Sequence, residues 1–178
     1  MSELKKPKST LIFASFLYRK DKLSIEEIQH LWEETWGPSL FFIHPYVPMK
    51  DYYSKEMGAV DLLQRFFLVS HRLMPKDILK EAKHWSIAQE KKHTELESRL
   101  LNLDVGIISL ENIQLATGKS FTHRVYLGEG IYSDLTLIYE KDTFQTLPWT
   151  YPDYSHPEII DFFNWCRKSL HIQLKNIF

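Results

Sequence analysis

Cysteine is nearly absent from this chain, and so is any apolar segment long enough to cross a membrane. Cys166 is the only cysteine among 178 residues, so no internal disulfide can form, which is typical of a reducing compartment. The apolar run 10–18 is too short for a membrane span, which takes about 20 apolar residues. Lysines precede this run as in a secretion signal, but no clear small-x-small cleavage site follows it. We therefore expect a cytoplasmic protein with no membrane partner.

An excess of charge of one sign is missing too. Lysine and arginine number 22, and aspartate and glutamate number 23, which gives a net charge of −1 with histidine neutral. Domains that bind nucleic-acid duplexes usually carry a basic excess or stripe, so no extended nucleic-acid surface is expected. Aromatic residues are plentiful, with 11 Phe, 9 Tyr and 5 Trp, and they favour an ordered core. The length suits a single domain over residues 1–178, with residues 1–8 as a flexible basic tail.

The common catalytic and cofactor motifs are also missing. The chain contains no H-E-x-x-H, paired C-x-x-C or G-x-S-x-G, and its eight histidines show no dedicated metal spacing. Gly118-Lys119-Ser120 resembles the end of a phosphate-binding P-loop, but Ile113 stands where that loop needs its first glycine. A turn between strands is the simpler interpretation. The motifs thus predict no metal site and name no cofactor.

Apolar periodicity and helix-capping residues predict an α+β protein. Ser24 and Glu27 form an S-x-x-E capping box before one helix, and Ser155 with Glu158 repeats the pattern before the last. The predicted helices are 24–36, 76–100 and 157–174, with a helical turn at 49–58, and the predicted strands are 10–18, 41–47, 65–73, 105–116, 122–127, 131–139 and 144–147. This order predicts a mainly antiparallel sheet with helices on one face: a ferredoxin-like βαββαβ core extended by a β-hairpin and a C-terminal helix.

The hairpin has a predicted register. Gly128-Glu129-Gly130 is its turn, because glycine tolerates the positive φ of tight loops. A three-residue turn gives four cross-strand pairs, which are Thr122–Thr136, Arg124–Asp134, Tyr126–Tyr132 and Leu127–Ile131. One hairpin face then carries His123 with apolar residues, and the other is polar and aromatic. The polar face is either a well-paired solvent surface or a platform on which Arg124 grips an anion.

Residues 148–154, Pro-Trp-Thr-Tyr-Pro-Asp-Tyr, are a second dense group of aromatics, named here the aromatic loop. Its prolines restrict the backbone, so the rings are presented at low entropy cost. The loop either caps the core or forms one wall of a ligand pocket. Because the chain leaves the sheet here and must reach the last helix, we expect the loop to fold over the polar hairpin face. Tyr52, Tyr53 and Glu56 are then expected to supply a third wall.

Three long motifs identify a family. They are Asp51-Tyr52-Tyr53 with Glu56-Met57-Gly58, the run His123-Arg124-Val125-Tyr126-Leu127-Gly128-Glu129-Gly130-Ile131-Tyr132, and Leu147-Pro148-Trp149-Thr150-Tyr151-Pro152-Asp153-Tyr154. In order and spacing they resemble a bacterial family, domain of unknown function 4416, over nearly the whole chain. Asn102-Leu103-Asp104 also resembles the family, which usually continues with proline and Gly-Tyr where this chain has Val105-Gly106-Ile107. The resemblance implies no activity.

Three functions stay open on this sequence. The preferred hypothesis is a binding domain for a small anionic or nucleotide-like ligand, with Arg124 on the anion and aromatic rings stacked on the rest. The second is an enzyme that uses Asp104, Glu56 or Asp153 as acid, base or metal ligand, assisted by His123. The third is a protein-interaction module. The candidate site residues are Tyr52, Tyr53, Glu56, Asp104, His123, Arg124, Tyr126, Tyr132, Asp134, Trp149, Tyr151 and Asp153.

The shape of the site distinguishes these hypotheses. A closed pocket with a carboxylate of raised pKa favours the enzyme. A flat apolar patch favours the protein-interaction module, and a concave site without perturbed acids favours the binding domain. The sequence defines neither the substrate nor the oligomeric state.

Overall fold

A computed structural model describes residues 3–44, 49–58 and 60–176, and its centre is one eight-stranded sheet. The strands are β1 (Thr10–Arg19), β2 (Ser39–His44), β3 (Leu63–Met74), β6 (Leu101–Ile108), β7 (Asn112–Thr117), β8 (Arg124–Gly128), β9 (Ile131–Glu140) and β10 (Thr143–Thr146), and a separate small hairpin holds β4 (Thr94–Glu95) and β5 (Ser98–Arg99). The sheet order is β10-β9-β7-β6-β1-β3-β2, and β8 also pairs with β9. Neighbouring strands run antiparallel, so the α+β antiparallel class is confirmed.

Within the described residues, four α-helices and one 3₁₀ turn accompany the strands. They are α1 (Ile25–Trp36), α2 (Lys50–Met57), the 3₁₀ turn Val60–Leu62, α3 (Ile78–Lys92) and α4 (Pro157–Lys175). Across the described ranges, no helix combines the length and apolar character that a membrane crossing requires.

The two predicted capping boxes have different outcomes. The first is confirmed: Glu27 N donates to Ser24 Oγ at 3.2 Å, and Ser24 N donates to the Glu27 carboxylate at 2.8 Å. The second is wrong, because α4 is capped by His156 and no side chain accepts its free N–H groups. The Ser155 hydroxyl donates instead to Pro152 O at 2.8 Å. Pro157, which has no N–H to satisfy, begins the helix.

Both faces of the sheet are covered, which corrects the prediction of helices on one face only. Along β1 the side chains alternate: Phe16 contacts Trp32 of α1, and Phe13 contacts Phe163 of α4. The apolar residues consequently form two layers, one under α1 and α3 and one under α4. A central strand that is apolar on both sides needs a helix on each face.

Two element boundaries differ from the sequence prediction. The helix predicted over 76–100 ends at Lys92, because Leu96 and Glu97 adopt positive φ in the tight turn of the following hairpin. The strand predicted over 105–116 is two strands, β6 and β7, joined by a turn in which Ser109 Oγ accepts from Asn112 N. Neither turn contains glycine or proline, the residues that usually mark turns in a sequence. Of the strand predicted over 41–47, residues 45–47 lie outside the described residues.

The four strands β6-β1-β3-β2 form one half of the sheet, with β2 at its edge. The ferredoxin-like βαββαβ unit stays a prediction, and this order of the four strands is what supports it.

Candidate functional site

The sheet opens between β6 and β7, and the gap is named here the fork. The two strands pair only where Gly106–Ile108 meet Ile113–Leu115. Past that point β6 continues with β1 alone on its other side, while Leu115 to Thr117 of β7 pair with β9. Gly106 stands where the strands meet, and a Cβ there would lie 2.6 Å from Gln114 O and from the Phe13 ring. The strands therefore approach closely at Gly106 and diverge beyond it.

A cavity of about 420 Å³ occupies the fork, a size typical of small-molecule sites. We name it the fork cavity. Three parts of the chain surround it: strands β6 and β7, helix α3, and the segments that carry the family-like tyrosines. The lining residues are Met49, Tyr52, Tyr53, Lys83, Glu90, Arg99, Asn102, Asp104, Leu115, Ala116, Thr117, Gly118, Lys119, Tyr151, Asp153 and Tyr154. The lining is mixed in charge and rich in tyrosine.

The side chain of Glu90 extends from α3 into the fork and accepts a hydrogen bond from a backbone N–H of β6 that is not paired with β7. Leu103 N donates to the Glu90 carboxylate at 2.8 Å. Burial raises the pKa of Glu90, the Leu103 N–H and the charge of Lys83 lower it, and the nearby charge of Asp104 raises it further. The net effect is a raised pKa, so the cavity holds a carboxylate that binds a proton more readily than an exposed glutamate does.

A buried ion pair closes one side of the fork cavity. Arg65 of β3 pairs with Asp153 of the aromatic loop, and their side chains are about 1% and 9% exposed. The Tyr53 hydroxyl accepts from Arg65 at 3.5 Å. Because both charges are buried together, the pair holds the end of the aromatic loop against β3, and removal of either partner would leave an unpaired buried charge.

Tyr154 is fully buried beside this pair and offers a polar atom at the cavity wall. Its hydroxyl approaches that of Ser15 without reaching hydrogen-bond geometry. Burial raises the pKa of Tyr154 well above its ordinary value, and the charge of Asp104 adds to this. The hydroxyl therefore stays protonated, and it is buried behind the cavity surface.

The aromatic loop lies over the polar face of the β8–β9 hairpin. Trp149 Nε1 donates to Leu135 O at 2.7 Å, and Thr150 Oγ1 donates to Thr136 O at 2.6 Å. The Trp149 ring stacks on His123 with 4.5 Å between centroids. These contacts bury a face of β9 that an isolated hairpin would expose.

Arg124 connects the hairpin to the loop. Its Nε donates to Asp134 at 2.8 Å, one terminal nitrogen donates to Lys119 O at 2.9 Å, and the other donates to the Tyr151 hydroxyl at 2.7 Å. All three guanidinium nitrogens are therefore engaged within the protein. Arg124 does not line the fork cavity itself, but it positions Tyr151, which does.

The hairpin register is confirmed at its two informative pairs, Arg124–Asp134 and Tyr126–Tyr132. The predicted Leu127–Ile131 pair is wrong, because a bulge brings Gly128 opposite Ile131. The predicted Thr122–Thr136 pair is also absent from the register, because β8 begins at Arg124. The predicted apolar face is wrong in part, since Val125 is 67% exposed. Asp134 and Thr136 of the polar face, which the aromatic loop was expected to cover, are buried beneath that loop. The sequence pattern of the hairpin alone does not include that covering loop.

Comparison with known proteins agrees with these motifs. A family model described as Domain of unknown function (DUF4416) matches residues 8–170 of the chain. The chain belongs to the DUF4416 family. A search of the curated proteins finds no match, and no solved structure matches.

Two of the three family-like segments, 51–58 and 147–154, contribute lining residues to the fork cavity, whereas the hairpin segment 123–132, expected as its floor, contributes none. The predicted site residues that line it are Tyr52, Tyr53, Asp104, Tyr151 and Asp153. Glu56 does not line the cavity, but its carboxylate forms an ion pair with the lining residue Arg99. Asp134, His123 and Trp149 belong to the hairpin and loop contacts around Arg124. The rings of Tyr126 and Tyr132 contact one another on the hairpin, with 5.1 Å between their centroids, and neither residue lines the cavity.

Several lining residues of this DUF4416 chain were missed by the sequence analysis, chiefly Lys83, Glu90 and Lys119. Lys83 and Glu90 lie among mixed lysines and glutamates, a pattern typical of a solvated helix face, but they are seven residues apart and so share one side of α3. Lys119 belongs to the fragment rejected as a P-loop, and it lies at the cavity. Arg65, a cation within the apolar stretch LQRFFLV of β3, is a sequence signal of a buried ion pair.

Proposed function

We propose that the fork cavity binds a small anionic ligand with a planar, nucleotide-like part. The observation that supports this most is a pair of uncompensated cations at the cavity. Lys83 and Lys119 line it, and among the described residues neither ammonium forms an ion pair. A lysine ammonium is a compact point charge that binds phosphate and carboxylate groups.

Of the other charged residues at the cavity, Arg99 and Asp153 are compensated by ion pairs, whereas Asp104 accepts from the Asn102 amide at 3.3 Å and has no ion-pair partner among the described residues. Asp153 is paired with Arg65, and Arg99 is paired with Glu56 and lies 3.8 Å from Glu90. The raised pKa of Glu90 also lowers the negative charge that an incoming anion meets.

The planar part of the ligand has tyrosine rings to contact. Tyr52, Tyr53 and Tyr151 line the cavity together, and tyrosine combines an aromatic face with a hydrogen-bonding hydroxyl. Asn102 and Asp104 add an amide and a carboxylate that can read the polar edge of a ring. Arg124 takes a positioning role in this proposal, since its donors are already bonded within the protein.

A thermal-shift screen followed by calorimetry tests the binding proposal. Nucleoside phosphates, the matching nucleosides, sugar phosphates and inorganic phosphate form the panel. A ligand at 100 times its dissociation constant stabilises the native state by about 2.7 kcal/mol, so a true ligand raises the unfolding temperature clearly. We expect a compound with both a ring and a phosphate to bind more tightly than either part alone.

Two lysine variants provide the matched comparison. Lys119→Ala is expected to weaken binding of the best compound by about 10-fold or more, as loss of one charged contact does. Lys91→Ala removes an exposed lysine of α3 that lies outside the cavity lining and is expected to leave binding unchanged. The proposal fails if no compound of the panel binds, or if the two variants weaken binding equally.

Acid–base catalysis in the same cavity is the second candidate, because Glu90 meets the criterion of a carboxylate with a raised pKa in a concave site. Asp104 supplies a second carboxylate in the cavity. If the bound compound is a substrate, its conversion followed by NMR should stop in Glu90→Gln while calorimetric binding persists. A compound that the wild-type protein binds and leaves unchanged counts against catalysis and leaves the binding proposal standing.

A further inference from the structure

A second group of chemically active side chains lies apart from the fork cavity, where the end of β2 meets the start of α4. His44 is the last residue of β2, His156 caps α4, and Glu158 is in the first turn of α4. One donor atom from each of the three lies within 4.8 Å of the other two. The two imidazole rings contact edge to face, with 4.6 Å between centroids.

We propose that His44, His156 and Glu158 form a site for Zn²⁺. Two imidazole nitrogens and one carboxylate oxygen are a donor set that zinc uses, with bonds of about 2.0–2.2 Å in tetrahedral geometry. Such bonds place donor atoms about 3.4 Å apart, so a present spacing of up to 4.8 Å contracts by about 1.4 Å at most. The nitrogen-rich set favours zinc over Mg²⁺ and Ca²⁺, which prefer oxygen ligands.

The site combines one rigid ligand with one adjustable ligand. His44 is about 1% exposed, and its backbone is fixed by pairing with Arg65 in β3. Glu158 is exposed, so its side chain can rotate towards an ion held by the two histidines. Three protein ligands leave a fourth position for water, as in zinc sites with an open coordination position.

The charges around the proposed zinc site make Glu158 the ligand that offsets the charge of the metal ion. The N-terminus of α4 carries a partial positive charge that opposes a cation. The guanidinium of Arg65, on the same sheet face as His44, is neutralised by Asp153. The carboxylate of Glu158 therefore provides the negative charge among the three ligands.

Bound zinc would tie the edge strand β2 to the first turn of α4. That turn begins four residues after Asp153, which lines the fork cavity. Metal binding therefore stabilises the folded chain by mass action and restrains the end of the aromatic loop. A sequence motif does not reveal this site, because His44 is far from the other two residues along the chain.

Metal titration of the full chain tests the proposal. The protein is stripped with a chelator, dialysed and titrated calorimetrically with Zn²⁺, and a parallel sample receives Co²⁺ as a spectroscopic probe. We expect one ion per chain, a higher unfolding temperature with Zn²⁺, and the visible absorption of tetrahedral Co²⁺. Failure to find saturable binding of one ion per chain would overturn the proposal.

Variants on α4 separate this site from weak binding by surface histidines. His156→Ala and Glu158→Gln are expected to lower zinc affinity by at least about 10-fold each, since loss even of an outer-shell partner costs 10–100-fold. His171→Ala removes an exposed histidine of the same helix and is expected to change nothing. These variants leave the buried His44 unchanged, because its replacement would itself disturb the packing around β2. Unchanged affinity in His156→Ala and Glu158→Gln would show adventitious binding and reject the site.

Discussion

Arg124 joins three parts of the molecule through one guanidinium group. It donates to the side chain of Asp134 within the hairpin, to Lys119 O in the turn before β8, and to the Tyr151 hydroxyl in the aromatic loop. Both members of the Arg124–Asp134 pair are nearly inaccessible to solvent. The pair therefore stabilises the wall of the fork cavity, and a large share of its effect is structural.

Arg124→Ala is expected to lower the free energy of unfolding by about 3 kcal/mol, because Asp134 stays buried without its cation. Urea unfolding followed by circular dichroism measures this loss. Arg72→Ala, at an exposed arginine, serves as the control and is expected to change stability by less than about 0.5 kcal/mol. Equal stability of the two variants would contradict a structural role for Arg124.

Glu90 is expected to make the stability of the protein depend on pH. Its pKa is raised in the folded chain, chiefly by burial, so the folded state holds the proton more tightly than the unfolded state. Stability from this group is present in acid and is lost as pH rises through the folded-state pKa. Glu90→Gln, which keeps an acceptor for Leu103 N, should therefore be more stable than the wild type near neutral pH.

The comparison at two pH values makes this prediction specific. At about pH 4, where an ordinary glutamate is largely protonated, the advantage of Glu90→Gln should shrink towards zero. Chemical unfolding of both proteins at about pH 4 and about pH 7 measures the difference. An advantage that grows on acidification would show that the sign is wrong.

At the scale of the elements, the fork depends on the close approach of β6 and β7 at Gly106. A Cβ added there meets backbone and ring atoms at 2.6 Å, neither of which is the end of a flexible side chain. Gly106→Ala is expected to cost about 1–3 kcal/mol of stability, as overpacking in a core does. Gly118→Ala is the matched control, because the nearest atom to its added Cβ is 4.0 Å away.

Thermal unfolding of the two glycine variants distinguishes packing from a general effect of alanine. We expect a clear loss of unfolding temperature for Gly106→Ala and a change of less than about 0.5 kcal/mol for Gly118→Ala. Similar unfolding temperatures for both variants would mean that the strands can separate at Gly106 without cost.

Elements with local signals were predictable from the sequence. The α1 capping box, the two-sided apolar β1 and the Arg124–Asp134 register each depend on residues that are close in sequence or across one turn. The failed elements lacked such signals. α3 ends without glycine or proline, and the serine of the second S-x-x-E pattern bonds to Pro152 O because the helix begins one residue later than that cap requires.

At the scale of the whole molecule, protection from solvent falls from the centre of the sheet outwards. β1 pairs with β3 on one side and β6 on the other, and its side chains are almost all buried. β8 pairs only with β9, and much of its surface is exposed. Strands with few buried contacts open at lower free energy than core strands.

Hydrogen exchange followed by mass spectrometry should reproduce this gradient. Amides of β1 and β3 are expected to exchange slowest, and those of β8 fastest among the strands of the main sheet. Their buried packing sets the free energy needed to open each strand. If the amides of β8 prove as protected as those of β1, the hairpin is held by contacts beyond those described.

The candidate site was predictable only in part, because its position depends on contacts between segments that are distant in the sequence. The family-like motifs indicated Tyr52, Tyr53, Tyr151 and Asp153, which meet at the cavity. The position of the cavity depends on where β7 leaves β6, and that divergence arises from packing between strands distant in sequence. Glu90 and Lys83 become cavity residues only because α3 crosses this gap, so their helix pattern resembles that of an ordinary solvated face.

The fork also gives this protein a sheet edge in its interior. On the β7 side of Gly106, the described residues supply β6 with no further strand partner, and an unpaired edge is a template for intermolecular strand addition and fibril growth. Glu90 occupies the Leu103 N–H that an invading strand would use, and it brings a carboxylate that such a strand would have to desolvate. The same side chain that gives the cavity its acid thus acts as a gatekeeper against aggregation.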